Sequence, residues 1–212
     1  MTTAICFDLD GTLVHLTRDY DEVLADVFET HLGESTTTLV ETYDEAFFAA
    51  FEAFEENPYR QGMEEVLAEV AEREDGDDDP SADPDAMVDT LREAEYAATE
   101  VPRPARSAVE QLSEQASLGV VTNGLPEWQA GKLDHHGVAD YFDAVVTSYE
   151  AGAHKPDAAP FDLARERLPA DEYAMVGDDY ECDVEGARAA GFVPVHFEED
   201  GPDFWETLSI ML

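Results

Sequence analysis

The sequence predicts an α/β fold, a doubly wound parallel sheet interrupted once by a long helical insertion. Three observations predict it. Five short apolar runs read as buried strands: Ala4–Phe7, Leu118–Val121, Ala144–Thr147, Tyr173–Val176 and Val193–Phe197. Helical patterning fills the intervals between the last four, and strands alternating with helices imply a parallel sheet covered on both faces. The interval between the first two runs is too long for one crossover and reads as helical only. At 212 residues the chain fits one domain or a domain with a modest insertion, and 44 % hydrophobic content is enough for a sizeable core.

The first strand ends in Asp8-Leu9-Asp10-Gly11-Thr12-Leu13. Residues at i and i+2 of an extended segment share a side. Two carboxylates that close repel unless a cation or a shared proton compensates them. Read alone, the hexapeptide is equally an acidic turn at a strand end.

The insertion runs from about 16 to 100, leaving residues 1–15 and 101–212 as the α/β core. Tyr20, Val23, Leu24, Val27, Phe28, His31 and Leu32 fall on one helical face. Leu39, Val40, Tyr43, Ala46, Phe47, Ala50, Phe51 and Phe54 form a second face, and Met63, Val66, Leu67 and Val70 a third. Gly33 suits a helix C-terminus, and Asp83-Pro84 an N-cap with its first helical residue. Four helices over the sheet are expected. Asp75–Pro80 reads as a solvated loop; its Gly is misplaced for an EF-hand and no Glu closes it. The aromatics Phe47, Phe48, Phe51, Phe54 and Tyr59 read mainly as helix packing, though one or two could face a substrate.

Ligands of such sheets bind at the carboxyl ends of strands, near the point where strand order reverses. Beyond the second strand, Thr122-Asn123-Gly124 precedes Pro126, which opens a helix. A hydroxyl with backbone amides at a helix start makes an anion site, although an ordinary turn has the same composition. Beyond the third strand, His154-Lys155-Pro156 follows Gly152, with Pro156 expected to open the next helix. Beyond the fourth, Gly177-Asp178-Asp179-Tyr180-Glu181-Cys182-Asp183 again places carboxylates at a strand end.

Asp and Glu number 51 against 11 Lys and Arg, for a formal charge of −40. Such a chain repels itself in dilute buffer. At molar salt the screening length falls to about 3 Å and the repulsion fades. The surface therefore reads as halophilic, adapted to a salt-rich cytoplasm, and melting across a KCl series tests this. Lys132 and Lys155 are the only lysines. In so lysine-poor a chain, Lys155 beside a helix start reads as functional. An acidic surface repels phosphate backbones, which argues against nucleic acid. The longest apolar run, Ala46–Phe51, is too short for a membrane span, and Met1-Thr2-Thr3 lacks the basic start of a secretory signal. Cys6 and Cys182 are too few for a disulfide framework and read as buried thiols.

These four pieces, each weak alone, stand in one order beyond successive strands. Together they resemble the haloacid dehalogenase (HAD) superfamily, specifically the phosphatases of its helical (C1) cap subgroup. DLDGTL is similar to the family's first motif, Thr122 in TNG to its second, Lys155 in HKP to its third and GDDYECD to its fourth. The resemblance spans essentially the whole chain and implies a HAD-like Rossmannoid core with an inserted helical cap domain. It implies Asp8 as nucleophile and Asp10 as general acid and base. It implies Mg2+ held by the side chains of Asp8 and Asp178 and the backbone carbonyl of Asp10, with Asp183 or Asp179 acting behind it or through water. Thr122 and Lys155 would hold the phosphoryl oxygens, with Asn123, Gly11 and Gly124 providing or permitting close backbone approach. The implied activity is hydrolysis of a small phosphorylated metabolite.

Asp10 argues against dehalogenation, which needs no acid for an alkoxide leaving group. A phosphomutase, a 2-haloacid dehalogenase and a non-catalytic interaction module stay open as alternatives. Phosphoglycolate, a nucleoside monophosphate and a sugar phosphate all fit, and oligomeric state is not legible. His135-His136 reads as a helix-end pair, because adjacent helical residues point about 100° apart and rarely share a metal. His15 is a linker residue or an entrant to the site, and Trp128 and Trp205 are expected against the sheet.

Overall fold

The computed structural model describes residues 2–73, 82–198 and 204–211. The acidic stretch Asp75–Pro80 lies outside them. In chain order the elements begin with β1 (Thr3–Phe7), β2 (His15–Leu16), α1 (Tyr20–Leu32), α2 (Thr37–Glu52), α3 (Pro58–Arg73), α4 (Pro84–Ala97) and β3 (Thr99–Glu100). They continue with α5 (Arg103–Ser113), β4 (Ser117–Thr122), α6 (Pro126–His135), a 3₁₀ turn (Ala139–Tyr141), β5 (Ala144–Thr147), α7 (Ser148–Ala151) and α8 (Ala158–Arg167). The chain closes with β6 (Glu172–Gly177), a π-helical segment (Tyr180–Glu185), α9 (Gly186–Ala189), β7 (Val193–His196) and α10 (Phe204–Met211). Two compact units result: one up to His15 and from Glu100 onward, the other Leu16–Thr99.

The first unit holds a parallel sheet of order β5-β4-β1-β6-β7. β1 is central because it pairs on one side with β4 (Phe7 opposite Val120) and on the other with β6 (Phe7 opposite Val176). Strand order reverses around it, which puts the switch point at the end of β1. Side chains alternate between two buried layers. Ile5, Phe7, Leu118, Val120 and Val176 pack with Ala105, Val109 and Leu112 of α5 and with Trp205. Ala4, Cys6, Val121 and Met175 pack with Phe161 and Ala164 of α8 and with Ala187. Each large side chain so buried contributes roughly 1.5–3 kcal/mol. Trp205 stacks on Phe7 at 6.2 Å between centroids, and Trp128 is also buried.

The second unit is built of α1 to α4. Gly33 ends α1 in the left-handed region at φ 73°. The Thr36 hydroxyl accepts the Leu39 N–H to cap α2, and Asp83 caps α4 with Pro84 as its first residue. Gly62 allows α3 to approach α2, since a Cβ there would lie 2.6 Å from the Tyr43 ring. Phe47 packs against Tyr43 and Tyr59 at 5.8 and 4.8 Å, whereas Phe48 is exposed.

Three expectations are corrected. The insertion is not bounded by helix alone: β2 and β3 pair at its two ends, and two-residue strands carry no readable periodicity. Pro156 does not open a helix. It follows a cis peptide within a turn in which the Asp157 N–H bonds to the His154 carbonyl, so α8 starts only at Ala158. Cys182 is partly rather than fully buried, because the π-helical segment turns it toward the Lys155 carbonyl. Among the described residues, no helix is long and apolar enough to cross a membrane.

Candidate active site

The site begins where β1 stops. The Asp8 N–H still bonds to Val176 O in the sheet ladder, at 2.8 Å. The chain then coils tightly, the Leu9 carbonyl accepting from the N–H groups of Leu13 and Val14 at 2.9 and 2.8 Å. The coil needs a left-handed residue, and Gly11 supplies it at φ 88°. A Cβ at Gly11 would also lie 2.6 Å from Asp178 Oδ2. Thr12, fully buried, donates its hydroxyl to Asp178 Oδ1 at 2.7 Å and accepts the Asp178 N–H at 3.1 Å. First and fourth motifs are thereby joined.

Lys155 sits at the centre. Its ammonium donates to Asp8 Oδ1 (2.7 Å), Asp183 Oδ1 (2.6 Å) and Val121 O (2.8 Å), which engages all three hydrogens. Burial pushes the Asp8 carboxyl up to about 7, against the pull of Lys155. Burial likewise raises Asp183. Burial alone would lower the Lys155 ammonium; Asp8 and Asp183 outweigh that and hold it above its ordinary range.

Asn123 braces this lysine. Its Oδ1 accepts the Lys155 N–H at 2.8 Å and its Nδ2 donates to the Lys155 carbonyl at 3.3 Å. The neighbouring Gly124 N–H is spent on Ser148 Oγ at 3.0 Å, so the turn after β4 is less open to an anion than its composition suggests. The Thr122 hydroxyl accepts from Gln129 Nε2 at 3.1 Å.

The structure separates the two acids of the fourth motif. Asp183 is buried, receives Lys155 on Oδ1 and the Asp179 N–H on Oδ2 at 3.1 Å. A Cβ at Gly177 would lie 2.2 Å from Asp183 Oδ2, so glycine is required for this approach. Asp179 is exposed and caps the π-helical segment by accepting the Cys182 N–H at 2.8 Å. π-turns often mark functional sites; this one brings Asp183 back beneath Asp178.

Asp8, Asp178 and Asp183 each offer a carboxylate oxygen, all within 4.8 Å of one another. An all-oxygen donor set suits a hard cation such as Mg2+. The Asp10 side chain points elsewhere. Lys132 Nζ donates to its Oδ1 at 2.7 Å and Gln129 Nε2 to its Oδ2 at 2.9 Å. Both come from one face of α6, three residues apart. Sequence reasoning missed both. The signal was present in Lys132, since the scarcity that singled out Lys155 applies equally to it. His15 Nε2 donates to the Thr12 carbonyl at 2.9 Å and the ring packs on Phe197, which makes it a prop of the β1 loop. His135 and His136 face each other edge-on at 5.0 Å.

The arrangement gathers a buried carboxylate on one lysine, an acidic trio whose oxygens could hold a cation, and a second carboxylate on a separate lysine. The model of the haloacid dehalogenase-like hydrolases matches residues 2–191, which contain all of these groups. The chain is 41 % identical over 97 residues to the ribulose-1,5-bisphosphate 5-phosphatase of Halopiger xanaduensis, covering 44 % of this chain and 41 % of that protein. It is 37 % identical over 88 residues to the pyrimidine 5'-nucleotidase YjjG of Escherichia coli, covering 40 % and 39 %. The chain thus spans about two-fifths of the length of these curated relatives. The magnesium-bound HAD-hydrolase YfnB of Bacillus subtilis superposes with a TM-score of 0.66 at 20 % identity, covering 96 % of this chain and 92 % of that one. A 2-haloacid dehalogenase of Pseudomonas syringae gives 0.66 at 24 %, covering 95 % and 89 %. At these identities the superpositions speak to the fold. With the family match running through nearly the whole chain and the motif residues converging at the switch point, the chain belongs to the haloacid dehalogenase-like hydrolases.

Proposed function

We propose that the protein is a Mg2+-dependent phosphomonoester hydrolase acting on a small phosphorylated metabolite. The observation that carries this is the pairing of two carboxylates at the end of β1 with two different lysines, Asp8 with Lys155 and Asp10 with Lys132. A dehalogenase would need only the first. The activities of the two curated relatives, on a sugar bisphosphate and on a nucleotide, support a sugar phosphate or nucleotide as substrate. The lysine-poor acidic composition supports a cytoplasm rich in salt and speaks against a nucleic-acid partner.

In this reading an Asp8 carboxylate oxygen attacks phosphorus while the ester P–O bond breaks, leaving an aspartyl-phosphate. Asp10 gives its proton to the departing oxygen. The Asp10 carboxylate then takes a proton from water, whose oxygen attacks the phosphoryl group and releases phosphate and free Asp8. Thr122 holds the phosphoryl oxygens as charge develops, joined by Lys155 as the hydrogen it gives to Asp8 is released when that carboxylate is esterified. Asp8, Asp178 and the Asp10 backbone carbonyl would hold Mg2+, with Asp183 fixing Lys155 behind them. When bound, Mg2+ supplies positive charge between Asp8 and the incoming phosphate. Asp10 is 46 % exposed on its side chain, an access to water that suits hydrolysis better than a mutase.

The test is p-nitrophenyl phosphate turnover in molar KCl. Turnover is expected with Mg2+, to vanish in EDTA and to fall by at least about 10⁴-fold in Asp8→Asn. Full activity in either case overturns the proposal.

A further inference from the structure

We infer that Gln129 and Lys132 are positioning residues that hold the Asp10 carboxylate in the orientation for proton transfer. The inference rests on the phosphatase reading above and adds to it a role for one face of α6. Three observations carry it. First, the clamp is complete: Lys132 takes Oδ1 at 2.7 Å and Gln129 takes Oδ2 at 2.9 Å, so both oxygens are fixed from a single helical turn. Second, the clamp is built inside the protein while its target is open. Gln129 and Lys132 are 3 % and 5 % exposed, whereas the Asp10 side chain is 46 % exposed. An exposed carboxylate without such partners has several rotamers available, and a displacement near 1 Å can cost about 10²-fold in rate. Proton transfer requires heavy-atom approaches of about 2.6–3.2 Å.

Third, Gln129 spends its donors on the site and leaves its own acceptor unmet. Nε2 faces Asp10 Oδ2, Thr122 Oγ1 and the Asn123 carbonyl, while among the described residues no partner meets the buried Oε1. A buried unmet acceptor costs about 1–3 kcal/mol. The amide thus turns its donor end toward Asp10 and Thr122. Natural sequences keep such local faults mainly where function requires them. Gln129 also ties Asp10 to Thr122, so one side chain sets the spacing between the acid and a phosphate-holding hydroxyl. Gly124 completes the fit, because a Cβ there would lie 2.8 Å from the Gln129 side chain.

The readout is leaving-group dependence in kcat/KM, measured with Mg2+ in molar KCl. Phenyl phosphate and p-nitrophenyl phosphate have similar shapes, but phenolate is the more basic leaving group and needs the acid more. Lys132→Met and Gln129→Met should lower kcat/KM for phenyl phosphate about tenfold more than for p-nitrophenyl phosphate. Lys132→Arg, which keeps the charge and the donors, should recover part of the loss. Asp10→Asn should show the same selective loss, and Lys132→Met should add little in that background, because groups acting as a unit are non-additive. Retained p-nitrophenyl phosphate turnover shows that a variant has folded. Equal losses on both esters, no loss on either, or a full further loss in Asp10→Asn would overturn the inference. A wild-type protein inactive on both esters would instead overturn the phosphatase reading, and this inference with it.

Discussion

The two corners of the site solve the same electrostatic problem in different ways. Each sets a β1-end carboxylate against one of the only two lysines in the chain. At the Asp8 corner everything is inside: the side chains of Lys155, Asp8 and Asp183 are 2 %, 11 % and 1 % exposed. At the Asp10 corner the lysine is inside, at 6 %, but the carboxylate is half open at 46 %. In the proposed mechanism the difference is a division of labour between Asp8 and Asp10. A nucleophile gains from losing its water, since burial strengthens every charge interaction around it. A group that passes protons in both directions needs contact with water, and its lysine must orient it without sealing it.

The comparison predicts unequal stability costs. Lys155→Met strands two buried carboxylates and should cost about 3–5 kcal/mol at neutral pH. Lys132→Met leaves Asp10 able to hydrate and should cost about 1 kcal/mol or less. Urea unfolding of both variants in molar KCl checks this, and equal costs would break the comparison.

A second, smaller effect follows from the raised Asp8 carboxyl. Its folded value is about 7 against an ordinary 3.8. Between those values the folded chain holds a proton that the unfolded chain has lost. The associated stability is therefore fully present below 3.8 and is lost as pH rises through about 7. In EDTA, Asp8→Asn should melt several degrees above the wild type at pH 8, at roughly 2–4 °C per kcal/mol. The gap should close toward pH 5. A gap independent of pH would mean that Lys155 outweighs burial at Asp8.

The smallest effect tests the Thr12 tie between the first and fourth motifs. Thr12→Val removes the hydroxyl from Asp178 Oδ1 and should cost about 1 kcal/mol of stability. It should weaken Mg2+ binding about 10-fold or more, read by calorimetry on the unliganded protein. Unchanged affinity would show that Asp178 orients itself.

Much of the fold was legible because its signals are local. Ala4–Phe7 and Tyr173–Val176 are apolar runs bounded by acidic turns, and both form central strands of the sheet. Pro126 and Asp83-Pro84 mark helix starts that the structure places at the same residues. The ribbon of β2 and β3 left no trace, being too short for a period. In the site, the motif residues could be named from order and spacing. Their partners could not: Gln129 and Lys132 lie on an unremarkable helix, more than a hundred residues from Asp10. Nor could spacing tell Asp179 from Asp183, four residues apart and opposite in burial.

By itself the sequence determined the order of the five sheet strands and their helices, the acidic composition and the scarcity of lysine, since each is a property of composition or of short periods along the chain, while its four motifs carried the resemblance to the family. Only the tertiary structure decided which carboxylate each lysine meets, which acid of the fourth motif turns inward, and that Asn123 and Gln129 brace the site. Those outcomes depend on distances between segments that parallel pairing brings side by side around β1, and no local pattern encodes such distances.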